Sequence, residues 1–247
     1  VHSGRYGGGI ANPLHAISEL IAGLHNPDGS IAVEGFYDDV LPINERIDPD
    51  KYQYSETQIL EETGAKSTFG EKEYGLLERL WLRPTLDVIG MWGGYQESGF
   101  KSAIPAVAHA KISSRLVPNQ SPLDIQTKII KHLETCLPQG IQLTVQTGQA
   151  GVPAYQIPQN HIGLQIAAQV LESLYGEKPA LVRIGATLPI STAFKQHLNA
   201  DTIFFSFSTA DEGFHGPNEF FRLDRLQLGL RAWLEYLTLL GSRYGCE

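Results

Sequence analysis

The stretch Asp211-Glu212-Gly213-Phe214-His215-Gly216-Pro217-Asn218-Glu219 gathers residue types that can do chemistry. One imidazole, His215, sits in a glycine-bounded loop among carboxylates, just ahead of a leucine-patterned segment that reads as a long amphipathic C-terminal helix. A neutral imidazole there can bind a metal ion, with Pro217 and Asn218 stiffening the loop and Glu219 placed to accept the second ring N–H. A metal centre needs three or more ligands, and the sequence offers His215 no convincing set of partners. The plain alternative is a loop histidine bonded to a nearby carboxylate.

Other candidates carry a plain reading beside the chemical one. His2, in Val-His-Ser-Gly, reads by itself as a turn residue. Arg115 projects from the polar face of an expected strand, where a guanidinium can grip a carboxylate at two points or make a surface ion pair. Gly185-Ala186-Thr187-Leu188-Pro189 offers backbone N–H groups and a hydroxyl at a strand-to-helix turn, a place for an anion or an ordinary turn. Phe204, Phe205 and Phe207 read as core. No nucleophile elbow, P-loop or dinucleotide fingerprint occurs, so serine-hydrolase and nucleotide chemistry are weakly supported.

These residues need elements to hold them, and 247 residues with 42% hydrophobic content can bury a core and supply two modest domains. A formal net charge of -8 with no basic run argues against nucleic acid as a partner. Cys136 and Cys246 lie far apart and in no metal-like spacing, which fits a reducing cytoplasm. No apolar run approaches the roughly 18 residues that span a bilayer, so no membrane association is expected. Opening on Val1 inside a His-Ser-Gly turn, the chain is expected to be a fragment.

Asn12-Pro13 starts a helix expected over 12–25, with Leu14, Ile17, Ile21 and Leu24 on one face. Residues 34–83 read as an insertion with short helices near Ser55–Glu62 and Glu71–Leu80. Thr85–Trp92 and Ala106–Val117 read as strands, the second carrying His109, Lys111, Ser113 and Arg115 on one face. Ser121-Pro122-Leu123-Asp124 caps a helix striped by Ile125, Ile129 and Leu133, and Ile141, Leu143 and Val145 alternate as a further strand. Residues 1–150 are thus expected to form an α+β unit, an antiparallel sheet with helices on one side. Beyond a linker, residues 151–247 are expected to form a partial α/β layer. Its expected parts are helices at Ile162–Leu174 and Ser191–Leu198, strands at Ala180–Ile184 and Thr202–Ser208, and the closing helix marked by Leu223, Leu226, Leu230, Trp233, Leu237 and Leu240.

Taken in order, His2-Ser3-Gly4-Arg5-Tyr6-Gly7-Gly8, Arg83-Pro84-Thr85-Leu86-Asp87, Lys101-Ser102-Ala103-Ile104-Pro105, Lys111 to Asn119, Gly185 to Pro189 and His215-Gly216-Pro217-Asn218-Glu219 resemble one family. It is the dinuclear zinc exopeptidase family of carnosinase-type and non-specific dipeptidases, aminoacylases and succinyl-diaminopimelate desuccinylase. The likeness covers nearly the whole chain, and the Arg-Leu-Val-Pro-Asn and His-x-x-Asn-Glu segments look most like the dipeptidase branch.

The resemblance implies a ferredoxin-like lid that dimerises the protein, followed by the C-terminal part of an α/β catalytic domain. Two zinc ions, replaceable by manganese or cobalt, activate a bridging water in such enzymes, and a glutamate beside them is the general base. His215 matches the last zinc ligand. His2 matches a lid histidine that stabilises the oxyanion across the dimer. Ser102 matches a lid hydroxyl at the same interface, and Arg115 matches the arginine that binds the substrate carboxylate, assisted at Thr187. His161 matches the histidine of an Asp-His-Pro segment. Ala186, Thr187, Ile184, Phe100 and Ser102 depart from the family pattern, which bears on substrate range. The remaining metal ligands and the base of the family precede its His-Ser-Gly turn and are not in this sequence.

The expectation is therefore the lid and C-terminal part of a cytoplasmic, homodimeric zinc dipeptidase acting on a small peptide or N-acyl amino acid, inactive as this chain alone. A non-catalytic dimerisation or binding module is the rival reading, and an aminoacylase or desuccinylase is the alternative within the same chemistry.

Overall fold

The computed structural model describes all residues except 45, 53–54, 149–150, 185–187 and 244–247. The elements run α1 (Ser3–Tyr6), α2 (Pro13–Ala22), α3 (Glu56–Thr63), α4 (Leu76–Trp81), β1 (Thr85–Gly93), β2 (Ala108–Arg115), α5 (Pro122–Thr135), α6 (Ile162–Tyr175), α7 (Pro189–Leu198) and α8 (Leu223–Arg243). They cluster into two compact units, one from Val1–Tyr155 with the short stretch beginning at Arg183, the other from Gln156–Val182 and Leu188–Glu247.

In the first unit the helix starts follow from their caps. Asn12 Oδ1 accepts from the Leu14 N–H with Pro13 opening α2, and Ser121 Oγ accepts from the Asp124 N–H with Pro122 opening α5. Ser55 and Gln58 form a reciprocal capping box for α3. Strands β1 and β2 pair antiparallel from Thr85↔Arg115 to Gly93↔Ala108, and a bulge between Val88 and Gly90 leaves Ile89 unpaired. The extra residue shifts the alternation, so Leu86, Val88 and Met91 share the face of Ser114, Ile112 and Ala110. Leu86 is buried there with Leu20, Leu24, Ile31, Val33, Phe36, Ile125 and Leu133, and Ile112 packs against the same cluster. The opposite face carries Asp87, His109, Lys111 and Arg115 to the surface.

The segment expected as a strand at Ile141–Val145 joins no ladder among the described residues. Leu143 still packs against the core, so the alternation reports burial of one side of the segment and not hydrogen-bonded pairing. The expected insertion is partly core, because Phe36 is fully buried and its carbonyl accepts from Gln120 Nε2 at 2.8 Å. The helix expected from Glu71 begins only at Leu76, and Glu71 instead pairs with Arg83.

In the second unit α6 and α8 lie together around Ile166, Ala167, Val170, Phe205, Ala232 and Tyr236. Small residues permit the close approach: a side chain at Gly163 would meet Ile203 and the Tyr236 hydroxyl, and one at Gly229 would meet Phe207. The segments expected as strands at Ala180–Ile184 and Thr202–Ser208 likewise join no ladder, and the second unit has no sheet among the described residues. Ile203, Phe205 and Phe207 turn inward onto the helices, so a segment of strand-like alternation is used as a packing strip. No helix among the described residues is long and apolar enough to cross a membrane.

Candidate functional site

The His215 loop is built on a short 3-10 turn, Ala210–Glu212, capped by Gly213 in the left-handed conformation at φ 71. The Gly216 N–H donates to the Gly213 carbonyl at 2.9 Å, and His215 and Asn218 also take left-handed backbone, at φ 60 and 63. The Phe220 N–H then donates to the Glu212 carbonyl at 3.1 Å and closes the loop. His215 is exposed at its tip, and among the described residues its ring has no hydrogen bond; Glu219, the expected acceptor, makes none with it.

The root of the loop is held by Arg222. Its Nη1 and Nη2 fork onto Asp211 at 3.0 and 2.6 Å, Nη1 also donates to Thr209 Oγ1 at 2.8 Å, and the guanidinium lies 4.8 Å from the Phe220 ring centroid. The Arg222 hydrogen bonds, then that from Thr209, hold the Asp211 carboxyl down at about 2. Sequence reading missed this network, because the fork spans eleven positions and no local pattern marks it.

No group of three histidine, cysteine, aspartate or glutamate side chains among the described residues could hold a metal ion. An exposed imidazole without a competing hydrogen bond fits one ligand of such a centre, and the described residues do not fit a whole one.

His2 and Ser102 lie a hundred positions apart and are brought together. The Ser3 N–H donates to the Ser102 carbonyl at 3.1 Å, the Ile104 N–H donates to the Val1 carbonyl at 2.8 Å, and His2 bridges Ala103 antiparallel. His2 caps α1, its Nδ1 accepting from the Gly4 N–H at 3.0 Å, so the neutral ring carries its proton on an exposed Nε2. Arg115 ends β2 opposite Thr85 and is exposed on the polar face with Lys111 and His109, the latter stacked on Trp92 at 5.0 Å.

In the second unit His161 caps α6, Nδ1 accepting from the Gly163 N–H at 3.1 Å. Its Nε2 faces Asp201 Oδ2 at 3.6 Å, while Lys195 holds Oδ1 at 3.0 Å. Thr187, with Gly185 and Ala186, lies outside the described residues.

Residues 1–141 match the peptidase dimerisation domain of the M20 peptidases. The chain is 28% identical over 227 residues to the Beta-Ala-His dipeptidase of Rattus norvegicus, covering 88% of this chain and 45% of that protein. It is 27% identical over 247 residues to the Cys-Gly metallodipeptidase of Schizosaccharomyces pombe, covering 98% of this chain and 52% of the relative. Among solved structures it is similar to an M20 family metallo-carboxypeptidase from Sulfolobus solfataricus, with a TM-score of 0.83 and 25% identity over 96% of this chain and 54% of that one. The chain spans about half the length of the curated relatives it matches.

Proposed function

We propose, from the premise that the chain belongs to the M20 peptidase dimerisation-domain family, that it is the lid and C-terminal part of a metal-dependent dipeptidase. The whole enzyme cleaves the amide bond of a dipeptide that bears a free carboxylate, and this chain alone is inactive. The names of the rat and fission-yeast relatives favour a dipeptide over an N-acyl amino acid as the substrate class.

The observation that carries the reading is His215, exposed at the tip of a pinned loop with its ring free of hydrogen bonds among the described residues. It serves as one zinc ligand, and the ligands completing a pair of zinc sites, which manganese or cobalt can also fill, come from outside this chain. When bound, the metal pair supplies an activated water and polarises the scissile carbonyl. His2 offers its Nε2–H to the developing oxyanion of a partner subunit, since Nδ1 is occupied by the Gly4 N–H. Ser102, held beside His2, contributes at the same interface. Arg115 forks onto the substrate carboxylate, with Thr187 assisting it, and His161 lies at the edge of the substrate site. The lid is ferredoxin-like, the protein is a cytoplasmic homodimer joined through it, and neither nucleic acid nor membrane is a partner.

Dipeptide hydrolysis by the full-length protein is lost on chelation and on His215→Ala; turnover unchanged in either case rejects the metal role. Light scattering at micromolar concentration gives a dimer, and a monomer there counts against the lid interface.

A further inference from the structure

We propose that Arg222 is a positioning residue for His215, acting through Asp211 and Glu212 at the root of the loop. The inference rests on the reading of His215 as a metal ligand and adds what holds that ligand in place.

Arg222 touches both ends of the loop. On the entering side it forks onto Asp211, donates to Thr209 Oγ1 and approaches Glu212 Oε1 at 3.6 Å; on the leaving side it lies over the Phe220 ring. Glu212 is 1% exposed, and its Oε1 is buried with no hydrogen-bond partner. A carboxylate so placed is costly unless a charge answers it, and among the described residues Arg222 supplies that charge. Without Arg222 the charge is relieved by moving Glu212 toward water. Glu212 lies three positions before His215, with Gly213 between them, so the displacement passes directly into the ligand. Left-handed backbone at His215 and Asn218 is uphill for residues with a Cβ and persists only where the surroundings over-determine it. The Arg222 contacts and the Phe220 to Glu212 hydrogen bond supply that constraint.

The test is zinc affinity of the full-length protein by chelator competition, which reads the ligand geometry without relying on turnover. Arg222→Gln weakens zinc binding by about 10- to 100-fold, the size seen when a group supporting a metal ligand is removed. Arg222→Lys recovers only part of the loss, because an ammonium cannot fork onto Asp211. Arg225→Gln, which removes a hydrogen bond from α8 to Tyr175 of α6, leaves zinc affinity unchanged. Should Arg222→Gln fail to fold, Asp211→Asn cuts the same link at an exposed position, with a several-fold loss expected. Wild-type zinc affinity in Arg222→Gln or Asp211→Asn, with zinc lost in His215→Ala, overturns this inference alone. Zinc retained in full by His215→Ala overturns the metal reading and this inference together.

Discussion

Arg83 grips Glu71 through two nitrogens, Nε at 3.0 Å and Nη2 at 2.7 Å, with its guanidinium 4.6 and 4.3 Å from the ring centroids of Tyr37 and Tyr74. The two side chains are 11% and 12% exposed. Burial by itself lowers the Arg83 pKa, and the hydrogen bonds and charge of Glu71 outweigh it and raise the value. Arg83→Ala strands a buried carboxylate and costs about 3–5 kcal/mol. Arg83→Lys keeps the charge but loses the fork and the planar stacking, and falls between. Urea unfolding midpoints order the three proteins; an Arg83→Ala midpoint equal to wild type contradicts the assignment.

Glu78 produces an acid limb in the stability curve. Burial pushes its carboxyl up, but hydrogen bonds from the Gly75 N–H at 2.8 Å, Arg46 at 2.6 Å and the Ile47 N–H at 3.1 Å bring it below the ordinary 4.5. A folded-state pKa below the unfolded one gives stability that is complete above the unfolded value and is lost as pH falls through the folded one. Stability therefore declines from about pH 4.5 downward. Asp211, held at about 2 by Arg222, extends the decline. Glu78→Gln removes the first part of this dependence, and unfolding free energies at neutral pH and near pH 3 read the difference. An undiminished slope in the variant assigns the limb to other carboxylates.

What the sequence discloses here is what is local. Asn12-Pro13 and Ser121-Pro122 identify their helices because cap and helix hydrogen-bond within a few positions. The paired strands at Thr85 and Ala108 are legible from alternation, whereas the bulge at Ile89 is not, since it depends on the partner's register. The segments 141–145 and 202–208 show the limit: Leu143 and Phe205 alternate into cores, and alternation carries no record of whether a backbone partner is present. Helix α8 shows another. Its leucines mark the helix, yet Leu223, Leu230 and Leu237 are exposed while Gly229, Ala232 and Tyr236 are buried, Gly229 against Phe207 and the other two in the cluster shared with α6. At the candidate site His215 is visible as a residue type in a glycine loop. Arg222 becomes visible only when folding brings it back onto Asp211.

Gly29 and Gly64 separate two costs of adding a methyl group. Both have left-handed backbone, φ 87 and 68, but a Cβ at Gly29 would run into the Gly70 carbonyl, whereas at Gly64 it meets nothing within 4 Å. Gly64→Ala costs about 1 kcal/mol of backbone conformation. Gly29→Ala adds a clash of the new Cβ with the Gly70 backbone that no side-chain rotation can relieve, for a total of about 2–4 kcal/mol. Thermal melts of the two variants measure the gap, and equal shifts contradict the close approach of Gly29 to Gly70.

His161 allows a structural duty to be separated from a chemical one. Its Nδ1 accepts from the Gly163 N–H at the start of α6, and its Nε2 faces Asp201. His161→Ala removes the cap and costs about 1 kcal/mol. Asparagine presents an oxygen at similar reach, so His161→Asn restores most of that stability but no longer offers an imidazole to Asp201 or to a substrate. If the ring also serves the substrate, full-length His161→Asn melts near wild type and still shows reduced kcat/KM for a dipeptide. Turnover that returns with the melting temperature makes His161 a helix cap alone, and removes it from the substrate site.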